Sequence, residues 1–303
     1  MCRMSKHMFP FSYVALLIGL LIGVGFTAAC VGLFSVGILF VCMSIGMIQI
    51  MPLFKFLEKI INNLLPDDVK RIETNLEKTY TVAGNTTLDP GKYIFMWHPH
   101  GVFASSMFFH TSTSFTTWPS QLRNTKLVAS GVVMKMPFMK ELYNEFNTIP
   151  SDYHVMKGAL ESGNSISVSA GGMREMLYEN TVLLSRRYGI FKMALETGTP
   201  LVPVVSADDS KLWKVMNIPQ WIQAALEPYD VCIPIPTFKS IVKYFGILQS
   251  PLKDPIRSII GEPIPVEKVE APTDSDISAL RSKYIEILKT MYKKETGIDL
   301  IVK

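Results

Sequence analysis

The sequence predicts an α/β fold, a mostly parallel sheet flanked by helices, preceded by an N-terminal transmembrane helical hairpin. Three observations predict it. No Asp, Glu, Lys or Arg falls between Lys6 and Lys55, so the chain opens on an uncharged apolar segment. After Tyr80, short apolar runs alternate with stretches of helical periodicity, as in sheets whose strands are joined by crossover helices. Polar and glycine punctuation falls directly after those runs, at the edge where such sheets hold their ligand crevice.

The first element is Pro10–Pro52. It is too long for one helix across a hydrocarbon core, which takes roughly 20 residues. Two helices turning near Thr27–Gly32 satisfy their backbone groups internally. A cleavable signal peptide has a shorter apolar region, about 7–15 residues. Arg3 and Lys6 precede the segment, and Lys55 and Lys59 follow it. Positive charge at both ends places both ends in the cytosol, which a hairpin permits. Gly19 and Gly23 form a small-xxx-small pair for close helix approach, or are ordinary membrane-helix glycines.

Next, Leu53, Phe54, Leu57, Ile60, Ile61, Leu64 and Leu65 recur at helical spacing with Lys55, Glu58, Lys59 and Asn62 between them. That pattern is an amphipathic helix in the membrane interface, or one packed on the following domain. The expected organisation is therefore a hairpin at 1–52, an interfacial helix and linker at 53–75, and a cytosol-facing domain at 76–303.

The strands expected in that domain are Tyr93–Met96, Leu127–Ala129, Ser165–Ser169 and Leu201–Val205, with Ser258–Ile260 weaker. The expected helices are Phe103–Ser112, Phe138–Phe146, His154–Ser162, Met173–Glu179, Ile190–Glu196, Ser210–Met216 and Ser275–Lys294. The Pro-rich run "CIPIPTF", Cys232–Phe238, reads as an irregular excursion.

Composition narrows the partners. The chain is 48% hydrophobic and 18% charged, where about 25% charged is usual. Its net charge is +4 with no dense Lys/Arg block, which argues against nucleic acid and suits an anionic membrane surface or substrate. Cys2, Cys30, Cys42 and Cys232 are scattered without a CxxC pair. They indicate neither a disulfide framework nor a thiolate metal site, and the domain is expected to face a reducing compartment. Asn85-Thr86-Thr87 is a glycosylation triplet that matters only on a lumenal side.

The chemistry concentrates in "YIFMWHPHGVFA", with His98-Pro99-His100-Gly101 at the end of its strand. A following helix N-terminus disfavours imidazolium, keeping a histidine neutral and able to accept a proton. If the backbone is extended, His98 and His100 point to the same side, so one can act while the other orients it. Gly101 leaves room for a substrate. Three readings compete. A metal site needs further His, Asp, Glu or Cys ligands, and the other histidines are His7, His110 and His154. Two turn histidines are the plain structural alternative. A metal-free general base fits best. With no G-x-S-x-G elbow, no P-loop and no G-x-G-x-x-G, covalent acyl-enzyme, nucleotide and dinucleotide chemistry have little support. A membrane-tethered domain with a histidine base suits group transfer onto a lipid hydroxyl.

Five segments in order, "YIFMWHPHGVFA", "KMPFMKELY", "GNSISVSAGGMREM", "RRYGIFKMALETGTPLVPV" and "IIGEPIPV", resemble the acyl-CoA:diacylglycerol acyltransferase type 2 family, which includes monoacylglycerol and wax-alcohol acyltransferases. The likeness covers Tyr93–Val266 and the apolar N-terminal segment. It places the chain among the glycerolipid acyltransferases, whose usual site is a His with an Asp five residues on. Here those positions hold Phe103 and Ser105, so that pairing is absent.

The resemblance implies direct transfer from acyl-CoA, as co-substrate and without a cofactor, to a glycerolipid hydroxyl, with diacylglycerol the leading acceptor. It implies a histidine as the base that deprotonates the hydroxyl; we take His100 for that role and His98 for its partner, the choice between the two being left open by the sequence, with Glu175 a candidate to orient them. Gly171-Gly172-Met173-Arg174-Glu175 matches the family's Gly-Gly-x-x-Glu, admitting a phosphate or thioester close to backbone amides. Arg174 is expected to bind CoA phosphate, a solvated helix start being the plain alternative for Arg174 and Glu175. Arg186, Arg187 and Lys192 match the family's basic-Gly-Phe-x-Lys block and are expected to contact CoA, a charged helix face being an equal reading. "SADDSKLW" stands where the family has Gly-Glu-Asn, so Asp209 replaces the Glu and the Gly is gone. A non-catalytic lipid-binding protein of the same fold is the alternative which that departure keeps open. The expected setting is the endoplasmic reticulum membrane with a cytosolic catalytic domain, and the lipid-droplet monolayer is a second surface. A homo-oligomer is compatible with all of this.

Overall fold

The computed structural model describes residues 66–99, 101, 104–111, 122, 125–134, 147–206, 208, 212–214, 219, 221, 237–247 and 250–303. Residues 71–134 and 146–303 form one compact unit. The expected hairpin, the helix at 53–65 and the helix at 138–146 lie outside the described residues. Among the described residues, no helix is long and apolar enough to cross a membrane.

The elements run α1 (Pro66–Thr79), β1 (Tyr80–Gly84), β2 (Ile94–His98), α2 (Ser105–Thr111), β3 (Lys126–Ala129), α3 (Gly131–Met134), β4 (Thr148–Pro150), α4 (Tyr153–Glu161) and β5 (Ile166–Val168). A 3-10 turn (Met173–Leu177) follows, then β6 (Thr181–Val182), α5 (Gly189–Thr197), β7 (Leu201–Val205), α6 (Phe238–Ile247), β8 (Ile256–Ile260), α7 (Asp274–Thr296) and β9 (Ile301–Val302). The main sheet has seven strands in the order β1-β8-β7-β2-β5-β3-β4. Every neighbouring pair is parallel except β7 with β8, so the fold is mixed α/β with a mostly parallel sheet.

The five expected strands are all present, and β8 is longer than its pattern implied. "YTVAG" was passed over because it is short and ends in glycine, yet it pairs along its whole length with β8. The stretch after "CIPIPTF" is helical in α6. The expected helix at 173–179 is instead the short 3-10 turn, which ends where Tyr178 turns extended at φ −127°, ψ 135°.

Strand β2 is central and buried at every residue, as expected of a parallel strand covered on both faces. Its alternation divides the molecule. Ile94 and Met96 join the core made with α4, α5 and α7. On the opposite face, the Trp97 ring stacks on His110 of α2, with ring centroids 5.6 Å apart. By the period of two, His98 lies on the α5/α7 face. In β7, Pro203 has no N–H to contribute, and its carbonyl accepts from Gly261 N at 2.8 Å, which preserves that side of the ladder.

Candidate active site

The site is built where β2, β5 and β7 end. The β2 register pairs Met96 with Val168 on one side and His98 with Val205 on the other. The chain then bends at Pro99, and Gly101 takes φ +60°. Strand geometry stops at His98. His100 and Asp209 lie outside the described residues.

His98 is fully buried. Its Nε2 lies 3.1 Å from the hydroxyl of Tyr284 on α7. Burial pulls the imidazole down to a pKa of about 3, so it is neutral. The sequence pointed to the helix dipole for this neutrality; in the structure, desolvation supplies it. His98 Nδ1 is buried and has no hydrogen-bond partner among the described residues. Tyr284 is also fully buried, and its phenol is pushed well above its ordinary range by desolvation and by the nearby Glu175 charge.

Glu175 is buried at 1% exposure. Its Oε1 accepts from the backbone N–H of Leu183 at 2.7 Å. Gly171 makes room for it: a Cβ built there would fall 1.5 Å from Glu175 Oε1 and 2.0 Å from its carboxyl carbon. Gly172 contributes differently, since its N–H donates to Ser169 O at 3.1 Å and its φ is positive. The two glycines thus have separate tasks, one of space and one of backbone conformation.

Beside this loop lies an open cleft of about 440 Å³, bounded by Ser169–Ala170 and Gly172, by Ser151 and Tyr153, and by Arg186–Ile190. Arg187 Nη2 donates to Gly171 O at 3.0 Å, tying the basic wall to the glycine loop. Tyr188 lines the cleft and carries the guanidinium of Arg281 over its ring at 4.6 Å. Lys192 sits at the cleft margin, its Nζ 6.0 Å from the ring centre of the lining residue Tyr153 and 3.7 Å from Glu196, whose other oxygen accepts from Lys157 and Tyr153, both at 2.7 Å. Arg174 sits in the 3-10 turn and does not line the cleft. Among the described residues, no group of His, Cys, Asp or Glu is arranged to hold a metal ion.

The structure therefore brings His98, Gly171, Gly172, Glu175 and Arg187 to one sheet edge, with Lys192 paired to Glu196 at the margin of the cleft. Tyr284 and Arg281 were missed. The spacing Ile277, Leu280, Tyr284, Leu288, Tyr292 shows a buried helix stripe, and a buried tyrosine needs a partner for its hydroxyl. That signal was readable; the identity of the partner was not. A second buried chain supports the edge from the other face. His110 Nε2 meets Ser258 Oγ at 3.0 Å, Ser258 Oγ meets Ser206 Oγ at 3.0 Å, and Ser206 N donates to His98 O at 2.7 Å.

A neutral buried histidine and a buried glutamate lie at the carboxyl edge of an α/β sheet beside a cleft lined by Arg186 and Arg187, the edge where such folds hold their ligands. Known proteins narrow the class. A family model described as Diacylglycerol acyltransferase matches residues 73–299. Mouse 2-acylglycerol O-acyltransferase 1 is 31% identical over 229 residues, 69% of this chain and 67% of that protein. Diacylglycerol O-acyltransferase 2 of Dictyostelium discoideum is 30% identical, over 69% of this chain and 68% of that one. The human diacylglycerol O-acyltransferase 2 is 28% identical, over 70% of this chain and 59% of that one. The chain belongs to the diacylglycerol acyltransferase family. Among solved structures, the 1-acyl-sn-glycerophosphate acyltransferase of Thermotoga maritima aligns at TM-score 0.41 and 12% identity, over 75% of this chain and 80% of that one.

Proposed function

We propose that this protein is a membrane-bound O-acyltransferase that moves a long-chain acyl group from acyl-CoA to the hydroxyl of diacylglycerol, forming triacylglycerol. Family membership across residues 73–299 carries the reading. The acceptor oxygen attacks the thioester carbonyl, the C–S bond breaks, and the hydroxyl proton passes through a histidine to the departing CoA thiolate. His100 is the base. His98 supports it from the strand end, and Glu175 acts through the adjacent Tyr284 and the 171–183 loop that it holds in place. The anionic end of CoA lies along the cleft, where Arg187 and its neighbour Arg186 face the glycine loop.

The uncharged segment at 10–52 anchors the protein as a hairpin, and the domain at 76–303 works on the cytosolic face of the endoplasmic reticulum or on a lipid droplet. The test supplies microsomes containing the protein with labelled oleoyl-CoA and a panel of diacylglycerol, monoacylglycerol, fatty alcohol and sterol. Triacylglycerol above empty-vector microsomes is expected, and its loss on His100→Ala. Label appearing only in diacylglycerol would move the assignment to monoacylglycerol transfer, the reaction for which the 31%-identical mouse relative is named. No product from any acceptor would end the reading.

A further inference from the structure

Tyr284 belongs to none of the segments by which the chain resembles its family, yet its hydroxyl is the one described partner of a histidine at the reaction edge. It stands midway along α7, and the ring of Phe191 on α5 packs edge-on against it with centroids 5.6 Å apart. Both rings are fully buried, so the position of the hydroxyl is set by packing from two helices.

A buried hydroxyl donates its proton wherever an acceptor is in reach. The acceptor within reach here is His98 Nε2 at 3.1 Å. Desolvation keeps the phenol protonated and the imidazole neutral. A neutral imidazole whose Nε2 accepts carries its proton on Nδ1. That Nδ1 is buried and unpartnered among the described residues, and burying a donor without an acceptor is costly. The geometry fits a donor kept for something that arrives or acts during the reaction.

We propose that Tyr284 is a positioning residue that locks His98 in the Nδ1–H tautomer, so that His98 serves the reaction as a hydrogen-bond donor and not as its base. This rests on the acyl-transfer reading above. It also decides between the two histidines of the His-Pro-His-Gly turn, since an Nδ1 that bears a proton cannot accept one and Nε2 is occupied.

Two measurements test it. In detergent-solubilised protein with 15N-labelled histidine, the chain's five histidines are few enough to resolve, and His98 is assigned by its loss in His98→Asn. Wild type is expected as the Nδ1–H tautomer, and Tyr284→Phe as a mixture or the other tautomer, with the remaining histidine signals unmoved. An Nε2–H tautomer in wild type, or no change in Tyr284→Phe, overturns the proposal. In the acyl-transfer assay, Tyr284→Phe is expected to lower kcat by about ten- to a hundredfold with KM within about twofold. His98→Asn, which keeps a donor near the Nδ1 position, should retain more activity than His98→Gln, which keeps the acceptor near Nε2 and loses that donor. Adding Tyr284→Phe to His98→Asn should cost nothing further. An additive loss, or the reverse order of Asn and Gln, also overturns it. If wild type transfers no acyl group, the functional reading falls and the tautomer measurement still judges Tyr284.

Discussion

At the scale of single residues, the pair Gly171 and Glu175 shows how a short sequence pattern becomes a physical requirement. The carboxyl group of Glu175 occupies the volume that a side chain at Gly171 would need. Gly171→Ala should therefore act as a displacement of Glu175. The N–H of Leu183 would lose its acceptor, a part-buried loss of roughly 1 kcal/mol. Activity should fall about as far as in Glu175→Ala, and the double variant should be no worse than either alone, because both remove one interaction. Thermal melts and the acyl-transfer assay on the three variants check this. Additive losses would mean that Gly171 matters for another reason.

At the scale of elements, α7 holds the site from beyond the five sequence segments that carry the resemblance, within the span that the family model matches. Its start is fixed by a capping box: Thr273 Oγ1 accepts from Asp276 N at 3.3 Å, and Asp276 Oδ2 accepts from Thr273 N at 2.9 Å. Its end is closed by Gly297 at φ +72°. Between these, Ile277, Leu280, Tyr284, Leu288 and Tyr292 face the core. Thr273→Ala should reduce stability by about 1 kcal/mol. KM should change little, since Thr273 is exposed and remote in sequence from Tyr284. A fall in kcat larger than the fall in folded fraction would show that the cap also sets the register of Tyr284.

At the scale of the whole molecule, two buried neutral histidines make stability depend on pH. His98 and His110 both have folded values near 3, lowered by desolvation, against about 6.5 when unfolded. Below pH 6.5 the unfolded chain binds protons that the folded chain refuses, so stability falls as pH drops from about 6.5 towards 3. Above that window these two groups contribute no slope. Detergent-solubilised protein should melt at progressively lower temperature between pH 7 and pH 5, with about two protons taken up on unfolding near pH 5. His110→Gln should reduce that uptake by about one. An unchanged slope would show that the neutrality of His110 is not a feature of the fold.

The sequence by itself determined the α/β class, the central strands, the glycine loop and the family. Each of these is written in local signals: unbroken apolar runs for strands buried on both faces, glycines where backbone or space demands them, and motif order. What lay beyond it was which groups meet across long separations. Tyr284 is 186 residues from His98, and only the packing of α7 over β2 brings its hydroxyl there. Lys192 looked like a free cleft cation, but Glu196, one helical turn on, pairs with it beside the Tyr153 ring at the cleft margin. The neutrality of His98 was expected from a neighbouring helix end and comes instead from complete burial, a property of the assembled core. Strand patterns record which residues are covered; the tertiary structure decides what covers them, and therefore which proton sits on which nitrogen.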